Sequence, residues 1–120
     1  MDHASFSANG ITIESNKAKL HGAGIYVSNA LYQSKSGIVG LNTSPQGAGI
    51  FVENSHAILI DDYYSSNSAN QGGGIFCSSA LIEIYSVKFD GTEDGNNLYC
   101  DPGTCTVQHD SNSTCTCNSC

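Results

Sequence analysis

The chain has no arginine and no tryptophan, and it contains only four lysines and two prolines. With eleven Asp and Glu residues its formal net charge is −7. An acidic chain without a basic patch argues against binding to nucleic acid or to anionic membranes. No stretch approaches the roughly 20 apolar residues that a transmembrane helix needs. We therefore expect neither a nucleic-acid partner nor a membrane span.

One apolar phrase recurs at a constant spacing, starting at Gly22, Gly47 and Gly72. Each copy opens on small residues and ends on Ile, an aromatic residue, and Val or Cys, which is typical of a short strand entered from a glycine corner. Periods of this size mark solenoids, propellers or arrays. One period traces roughly 80 Å of strand. That length fits a winding of three short strands and is short for a propeller blade.

The sequence therefore predicts an all-β fold, a right-handed, single-stranded parallel β-helix (a solenoid) with about 25 residues per winding. We assign residues 1–100 to the windings, with a partial winding over 1–21, and residues 101–120 to a disulfide-rich tail or cap. Stacked windings place like residues about 4.8 Å apart. The columns expected to face inward are Ile25/Ile50/Ile75, Val27/Val52/Cys77, Val39/Tyr64/Phe89, Ala57/Ile82 and Leu59/Ile84.

Two segments among the first forty residues need a separate comparison with the repeat. Phe6-Ser-Ala-Asn9 has the apolar-x-x-polar spacing of Val39 and Asn42, so we place Phe6 at the start of that column. Residues 28–40 lack a clean second strand. There we expect irregular backbone or a strand shifted by one residue.

Aromatic residues occupy one position of every phrase: Tyr26, Phe51 and Phe76. Each lies between two inward positions, and alternate side chains of a strand point to opposite faces. We therefore expect an outward aromatic ladder on the surface. Such a ladder could stack on sugar rings, which is the basis of a carbohydrate-binding or carbohydrate-active alternative.

The paired pattern of Gly-Gly/Ala-Gly-Ile and Phe-x-x-Asn resembles the parallel β-helix repeats of chlamydial polymorphic outer membrane proteins. The first half of the pattern stands at 22–25, 47–50 and 72–75, and the second, in relaxed form, at Phe6/Asn9, Val39/Asn42, Tyr64/Asn67 and Phe89/Thr92. The resemblance covers roughly residues 6 to 100. It implies a protein outside the cell or at its surface.

Five of the six cysteines lie in the segment from Cys100 to Cys120, which points to an oxidising compartment. Leu98-Tyr99-Cys100 looks like a shortened copy of Ile75-Phe76-Cys77, and stacked strands would bring Cys77 within disulfide range of Cys100. We expect that bond. The other four cysteines allow three pairings, or a zinc site: Cys105, Cys115, Cys117 and Cys120. The even cysteine count and the extracellular character favour disulfides over zinc.

Asp61 and Asp62 resemble the paired aspartates of β-helical polygalacturonases. Those enzymes need further acidic, histidine and basic residues nearby, whereas this chain has no arginine and four scattered lysines. We therefore expect a solvated bend and no enzymatic activity.

Metal sites have little support in the sequence. The loop at 90–97 gathers Asp90, Glu93 and Asp94, whose hard oxygens suit calcium, but its spacing is not that of an EF-hand. An ordinary acidic turn is the alternative, and we expect no cofactor. The histidines show no paired ligand spacing and are expected at turns or in solvent: His3, His21, His56 and His109.

Two N-glycosylation sequons begin at Asn42 and Asn112. Asn112 lies in the tail and is the better acceptor. Asn42 is in register with Asn67, so a ladder of inward-facing amides would leave it no room for a sugar.

The two ends of a β-helix expose strand edges that invite pairing with another chain. The cysteine-rich tail could cover one end, whereas the sequence around Phe6–Asn9 shows no cap. We predict a secreted structural or adhesive module whose open N-terminal winding docks onto a longer chain or onto another subunit of a head-to-tail filament. The first residues do not resemble a signal peptide, so we expect a removed signal or a piece of a longer chain.

Overall fold

The structure, a computed structural model, describes residues 4–20, 22–90, 97–101 and 104–111. These residues form thirteen strands and no helix. The strands are β1 (Ala4–Asn9), β2 (Thr12–Glu14), β3 (Ile25–Ser28), β4 (Ala30–Lys35), β5 (Ile38–Gly40), β6 (Ile50–Glu53), β7 (His56–Ile60), β8 (Tyr63–Ser65), β9 (Ile75–Ser78), β10 (Leu81–Tyr85), β11 (Lys88–Asp90), β12 (Leu98–Cys100) and β13 (Thr106–His109).

The strands stack into three parallel sheets, in the orders β1-β4-β7-β10-β13, β2-β5-β8-β11 and β3-β6-β9-β12. Each strand therefore pairs with the strand of the same sheet one winding away. We number the windings along the chain: β1–β2, β3–β5, β6–β8, β9–β11 and β12–β13. This is the predicted parallel β-helix, with three full windings between two partial ones.

The predicted register is confirmed in the central windings. Ile25 pairs with Ile50 and Ile50 with Ile75, each one period apart, and Leu98 continues the column. All of the predicted inward columns belong to one core or pack against it. Burial of the core is most complete in the third and fourth windings, where four side chains are fully buried: Ile50, Leu59, Ile75 and Ile84.

Single residues with positive φ make the bends between sheets. Asn29, Asn54 and Ser79 turn the chain from the third sheet to the first, and Ser36, Asp61 and Ser86 turn it from the first to the second. Polar residues with short side chains tolerate this left-handed conformation better than most others. The period of the strands thus repeats in the bends as well.

The two outer glycines of each phrase have different roles. Gly47 has a φ of +62°, whereas at Gly49 a Cβ would meet the backbone of the next winding. Between them stands Ala48, which is fully buried and tolerates its methyl group. The Gly-Ala/Gly-Gly pattern therefore reflects a left-handed corner followed by close contact between windings.

Two predictions about the early windings are wrong. The segment 28–40 contains a regular β4, in register with β7 from Leu31↔His56 to Lys35↔Ile60. Phe6 is in β1 and pairs with Tyr32, whose ring it meets edge-on at 5.8 Å, so it does not head the Val39 column. Ile13 heads that column instead. Partners in the first and second windings, such as Ser7 and Gln33, are 26 residues apart. This separation is one residue longer than the period of the later windings, so extending that period back to the first winding gives the wrong alignment.

The stack also continues past the boundary predicted at residue 100. β13 (Thr106–His109) pairs with β10, with Val107 beside Ile82. Part of the segment that we assigned to the tail therefore extends the first sheet.

The predicted Cys77–Cys100 disulfide is wrong: Cys77 is bonded to Cys105. Cys77 and Cys100 are register partners as expected. However, the chain turns after β12 and brings Cys105 back beside the bend that follows Cys77, with a Cα–Cα distance of 6.1 Å. Cys100 is also disulfide-bonded. Cys105 therefore cannot serve the zinc alternative, and Cys115, Cys117 and Cys120 lie outside the described residues.

Candidate functional site

The N-terminal end of the stack presents edge strands in all three sheets of the described chain: β1, β2 and β3. The N–H groups of Ile25, in β3, and of Asn29, just after it, donate to the carbonyls of Gly49 and Glu53 in the third winding. Successive N–H groups of a parallel strand point to opposite sides, so that of Ser28 points toward the edge. This end offers donors and acceptors for one more parallel strand.

An apolar mouth opens at the same end. A cavity of about 420 Å³ is lined by residues of the first two windings, among them Ile11, Ile13, Ile25, Val27 and Tyr32. These are lumen side chains that another winding would cover.

Exposed apolar side chains concentrate in the same two windings. The large hydrophobic residues exposed among those that the structure describes are Phe6 (53%), Leu20 (71%), Tyr26 (45%), Ile38 (42%) and Leu41 (59%). Monomeric proteins rarely expose large contiguous apolar areas, and such patches mark interaction surfaces. The predicted open N-terminal winding therefore coincides with the most apolar exposed region of the described chain.

The two ends of the stack differ in charge. The described residues of the first two windings carry Glu14 and three lysines: Lys17, Lys19 and Lys35. Those of the fourth and fifth windings carry Lys88 and four carboxylates: Glu83, Asp90, Asp101 and Asp110. Opposite charges attract over the range of the Debye length, so the two ends are electrostatically complementary.

The aromatic ladder exists but is mostly covered. Tyr26 stacks on Phe51 at 5.3 Å, Phe51 on Phe76 at 4.8 Å, and Phe76 on Tyr99 at 5.1 Å. The rings lie outside the core cluster, as alternation predicts. Phe51 and Phe76 are nevertheless only 6% exposed, because rings stacked at the strand spacing cover one another's faces. Among the described rings of the ladder, Tyr26 is therefore the most exposed and Tyr99 is half-buried.

Asp61 and Asp62 do not form a carboxylate pair. Asp61 occupies the left-handed bend with a φ of 52° and is exposed, whereas Asp62 is buried in the lumen. There its Oδ1 accepts hydrogen bonds from the Ser34 hydroxyl at 3.0 Å and the Gly37 N–H at 2.8 Å. Burial raises the pKa of the Asp62 carboxyl, and the two hydrogen bonds oppose that rise. The geometry gives no support to polygalacturonase-like catalysis.

The Asn ladder is present and excludes a glycan at Asn42. The Asn42 side chain is fully buried, and its Nδ2 donates to Asn67 Oδ1 at 3.0 Å and to the Ile13 carbonyl at 3.3 Å. Its Oδ1 accepts from the Asn16 N–H at 2.9 Å. A sugar on Nδ2 would displace these contacts. Asn112, the other predicted acceptor, lies outside the described residues.

Several residues considered for metal binding lie outside the described residues: Glu93 and Asp94 of the calcium hypothesis, and His3 and His21. Asp90 accepts a hydrogen bond from the Tyr63 hydroxyl at 3.0 Å. No group of three or more His, Cys, Asp or Glu side chains suited to a metal occurs in the described part of the chain.

Sequence reasoning missed a polar cluster on the outer face of the first sheet. His56 Nε2 contacts Glu83, which also accepts from the Tyr85 hydroxyl. These hydrogen bonds, led by that of Tyr85, lower the pKa of Glu83. His56 and Glu83 are 27 residues apart, which is one winding plus two positions. They are therefore diagonal neighbours on adjacent windings, and a comparison of positions about one period apart would have revealed the pair.

A surface groove of about 550 Å³ runs past this cluster across four windings, lined by Leu31, His56, Leu81 and Thr104 among others. Its lining residues include no Tyr or Phe. It therefore lacks the flat aromatic faces on which sugars stack.

Among the described residues there is no helix long and apolar enough to cross a bilayer. No family model, curated protein or solved structure matches the chain.

Proposed function

We propose that the protein is a secreted structural module that assembles head to tail, with the C-terminal end of one copy docked on the N-terminal end of the next. The observation that carries this proposal is the open N-terminal winding, with three strand edges around an apolar mouth. An uncovered strand edge is a template for further pairing. A contact between two different surfaces that does not close on itself yields a filament.

A second copy is the occupant that the topology favours. β12 and β3 are the two ends of one sheet, β13 and β1 of another, and β11 and β2 of the third. A copy that continues the helical rise can set β12 beside β3 and β11 beside β2, all parallel, with β1 then taking the place of β13 beside β10 in the remaining sheet.

Charge supports the same arrangement. The lysine-bearing first windings of one copy would face the carboxylate-bearing last windings of the next. Such complementarity accelerates association and favours head-to-tail over head-to-head contact, since like ends repel.

An extracellular or cell-surface location is part of the proposal. The Cys77–Cys105 disulfide is typical of oxidising compartments. The resemblance of the glycine-rich repeats to those of chlamydial polymorphic outer membrane proteins supports the same location and an adhesive role. We propose no enzymatic activity, cofactor or nucleic-acid partner.

The test uses the edge of β3. Ser28 is exposed and its N–H points toward the edge, so Ser28→Pro would remove a donor from the docking surface while keeping the pairing to β6. We expect the native protein to form larger species as concentration rises in sedimentation velocity, and filaments in electron microscopy. Ser28→Pro should suppress both, and the matched control Ser28→Ala should suppress neither.

Circular dichroism of Ser28→Pro must match the native spectrum for this comparison to count. A native protein that stays monomeric at high concentration would contradict self-assembly. If Ser28→Pro leaves assembly unchanged, the contact between copies does not involve the edge of β3.

The carbohydrate-binding alternative loses its main support, since a ring as buried as Phe51 offers no face to a sugar. Tyr26 is the most exposed ring of the ladder, at 45%. Glycan-array binding that Tyr26→Ala abolishes would restore this alternative.

A further inference from the structure

Three buried polar atoms in the lumen have no hydrogen-bond partner among the described residues: the hydroxyl oxygens of Tyr32 and Tyr64, and Oδ2 of Asp62. The exposed fractions of these side chains are 4%, 2% and 2%. Buried polar atoms are nearly always hydrogen-bonded in folded proteins, because an unpaired one keeps its full desolvation cost. Three in one region call for a shared partner.

The three side chains belong to adjacent windings and face the same lumen, and we call the region between them the chamber. Tyr32 and Ser34 are two positions apart on β4 and therefore share its inner face. Asp62 reaches down from the third winding and accepts from the Ser34 hydroxyl at 3.0 Å. Tyr64, two positions after Asp62, faces the same lumen. The chamber thus lies between the second and third windings.

Electrostatics agrees with this proximity. Burial raises the pKa of Tyr64 well above its ordinary value, and the charges of Asp62 and Tyr32 add to the rise. Burial likewise raises the pKa of Tyr32, an interaction with the nearby Ser34 hydroxyl opposes that rise, and the charge of Asp62 adds to it. Both phenols therefore stay protonated and can donate.

We propose that this chamber binds one water molecule, which accepts hydrogen bonds from the Tyr32 and Tyr64 hydroxyls and donates one to Asp62 Oδ2. A water has two donors and two lone pairs, so it satisfies all three atoms at once. Buried waters typically make about three such bonds. A metal cation would use the phenol oxygens as ligands and leave both phenol hydrogens without an acceptor, so a water suits this donor set better.

Glycine at position 37 leaves space beside these polar groups. At Gly37 a Cβ would come within 3.2 Å of both Asp62 Oδ1 and Ser34 Oγ, so the absence of a side chain preserves this polar corner. Tyr32 also lines the apolar cavity at the N-terminal end.

Removal of single hydroxyls tests the site by the sign of the stability change. If the water is bound, Tyr32→Phe and Tyr64→Phe each remove one of its partners, and we expect the folding equilibrium constant to fall about fivefold to tenfold in urea titrations. If the hydroxyls have no partner, their removal relieves a desolvation cost and the constant rises. An unchanged or increased constant for either variant would overturn the three-way site.

Tyr63→Phe is the matched control, because the hydroxyl of Tyr63 bonds to Asp90 at the exposed surface. Its folding constant should stay within about twofold of the native value.

A crystal structure of the native chain supplies the second readout. We expect one density peak within about 2.6–3.2 Å of the three oxygens. Direct tyrosine–aspartate hydrogen bonds without such a peak would overturn the proposal. So would a saturable increase in melting temperature with Na⁺, K⁺ or NH₄⁺ at constant ionic strength that Asp62→Asn abolishes, since that result would identify a cation.

Discussion

A Cβ atom on Gly49 would stand 2.4 Å from the carbonyl oxygen of Gly74, one winding further along the stack. Real Cβ atoms do not approach backbone so closely, so the two windings can lie at this spacing only because Gly49 has no side chain. The contact recurs from Gly24 to Gly49, where the distance is 2.5 Å. The repeated glycine is therefore a condition for stacking.

Gly49→Ala should accordingly destabilise the protein by about 3 kcal/mol or more, because the clash is with backbone and cannot be relieved by a side-chain rotation. Gly73→Ala is the matched control. Its register positions in the preceding windings are already Ala23 and Ala48, so its cost should stay within about 0.5 kcal/mol. Urea unfolding of both variants checks the difference. Equal costs would show that the windings separate more easily than this geometry implies.

Phe51→Ala should cost about 3–5 kcal/mol, as expected for a buried aromatic side chain stacked on both faces. Tyr26→Ala should cost about 1 kcal/mol, since 45% of Tyr26 is exposed. If the outward direction of these strand positions alone decided exposure, both substitutions would cost little stability. Thermal or urea unfolding measures the two costs, and a small cost for Phe51→Ala would mean that the ring is not covered in solution.

Peptide mapping under non-reducing conditions should link the Cys77 peptide to the Cys105 peptide. The bond closes a span of 28 residues, so Cys105→Ala should lower stability by about 2–4 kcal/mol. A peptide that joins Cys77 to Cys100 would refute this connectivity.

Asp62→Asn should change how stability depends on pH. Burial raises the folded-state pKa of Asp62 above its ordinary value of 3.8, with a smaller contribution from the neighbouring charge of Asp61. The folded state therefore holds the Asp62 proton more tightly than the unfolded chain does. Its contribution to stability is fully present below the unfolded pKa and is lost as pH rises through the folded pKa.

The amide side chain of this variant would not ionise, so the free energy of unfolding of Asp62→Asn relative to the native protein should rise as the pH increases above the ordinary pKa of 3.8. Urea unfolding at several pH values measures this difference. Glu14→Gln, at an exposed position of β2, serves as the control. A native-to-variant difference that is flat across this range would show that Asp62 ionises as readily in the fold as in the unfolded chain.

Most of the fold was predictable because parallel stacking sets like residues beside like. Ile25, Ile50 and Ile75 form the column that their spacing predicts, and the inward faces of β7 and β10 were correctly assigned. The first winding was misaligned at Phe6, because a longer offset and a long connection before Gly22 break the period there.

The candidate site was predictable only in outline. The edge strands at the N-terminal end of the described chain were predicted from the sequence, but the exposure of Leu20 and Leu41 was not. The contact of His56 with Glu83 also escaped notice, since it joins different positions of adjacent windings.

The regular spacing of the glycine-rich phrases by itself determined that the chain winds into stacked parallel strands, because each winding can bury its apolar face only against a neighbour of the same pattern. Only the tertiary structure decided that Cys77 bonds to Cys105, that Phe51 is covered and that Asp62 turns inward while Asp61 does not. Those outcomes depend on where each bend directs the next segment and on how closely neighbouring side chains approach. A one-dimensional repeat specifies neighbours along its columns but carries no information about contacts that cross from one column to another.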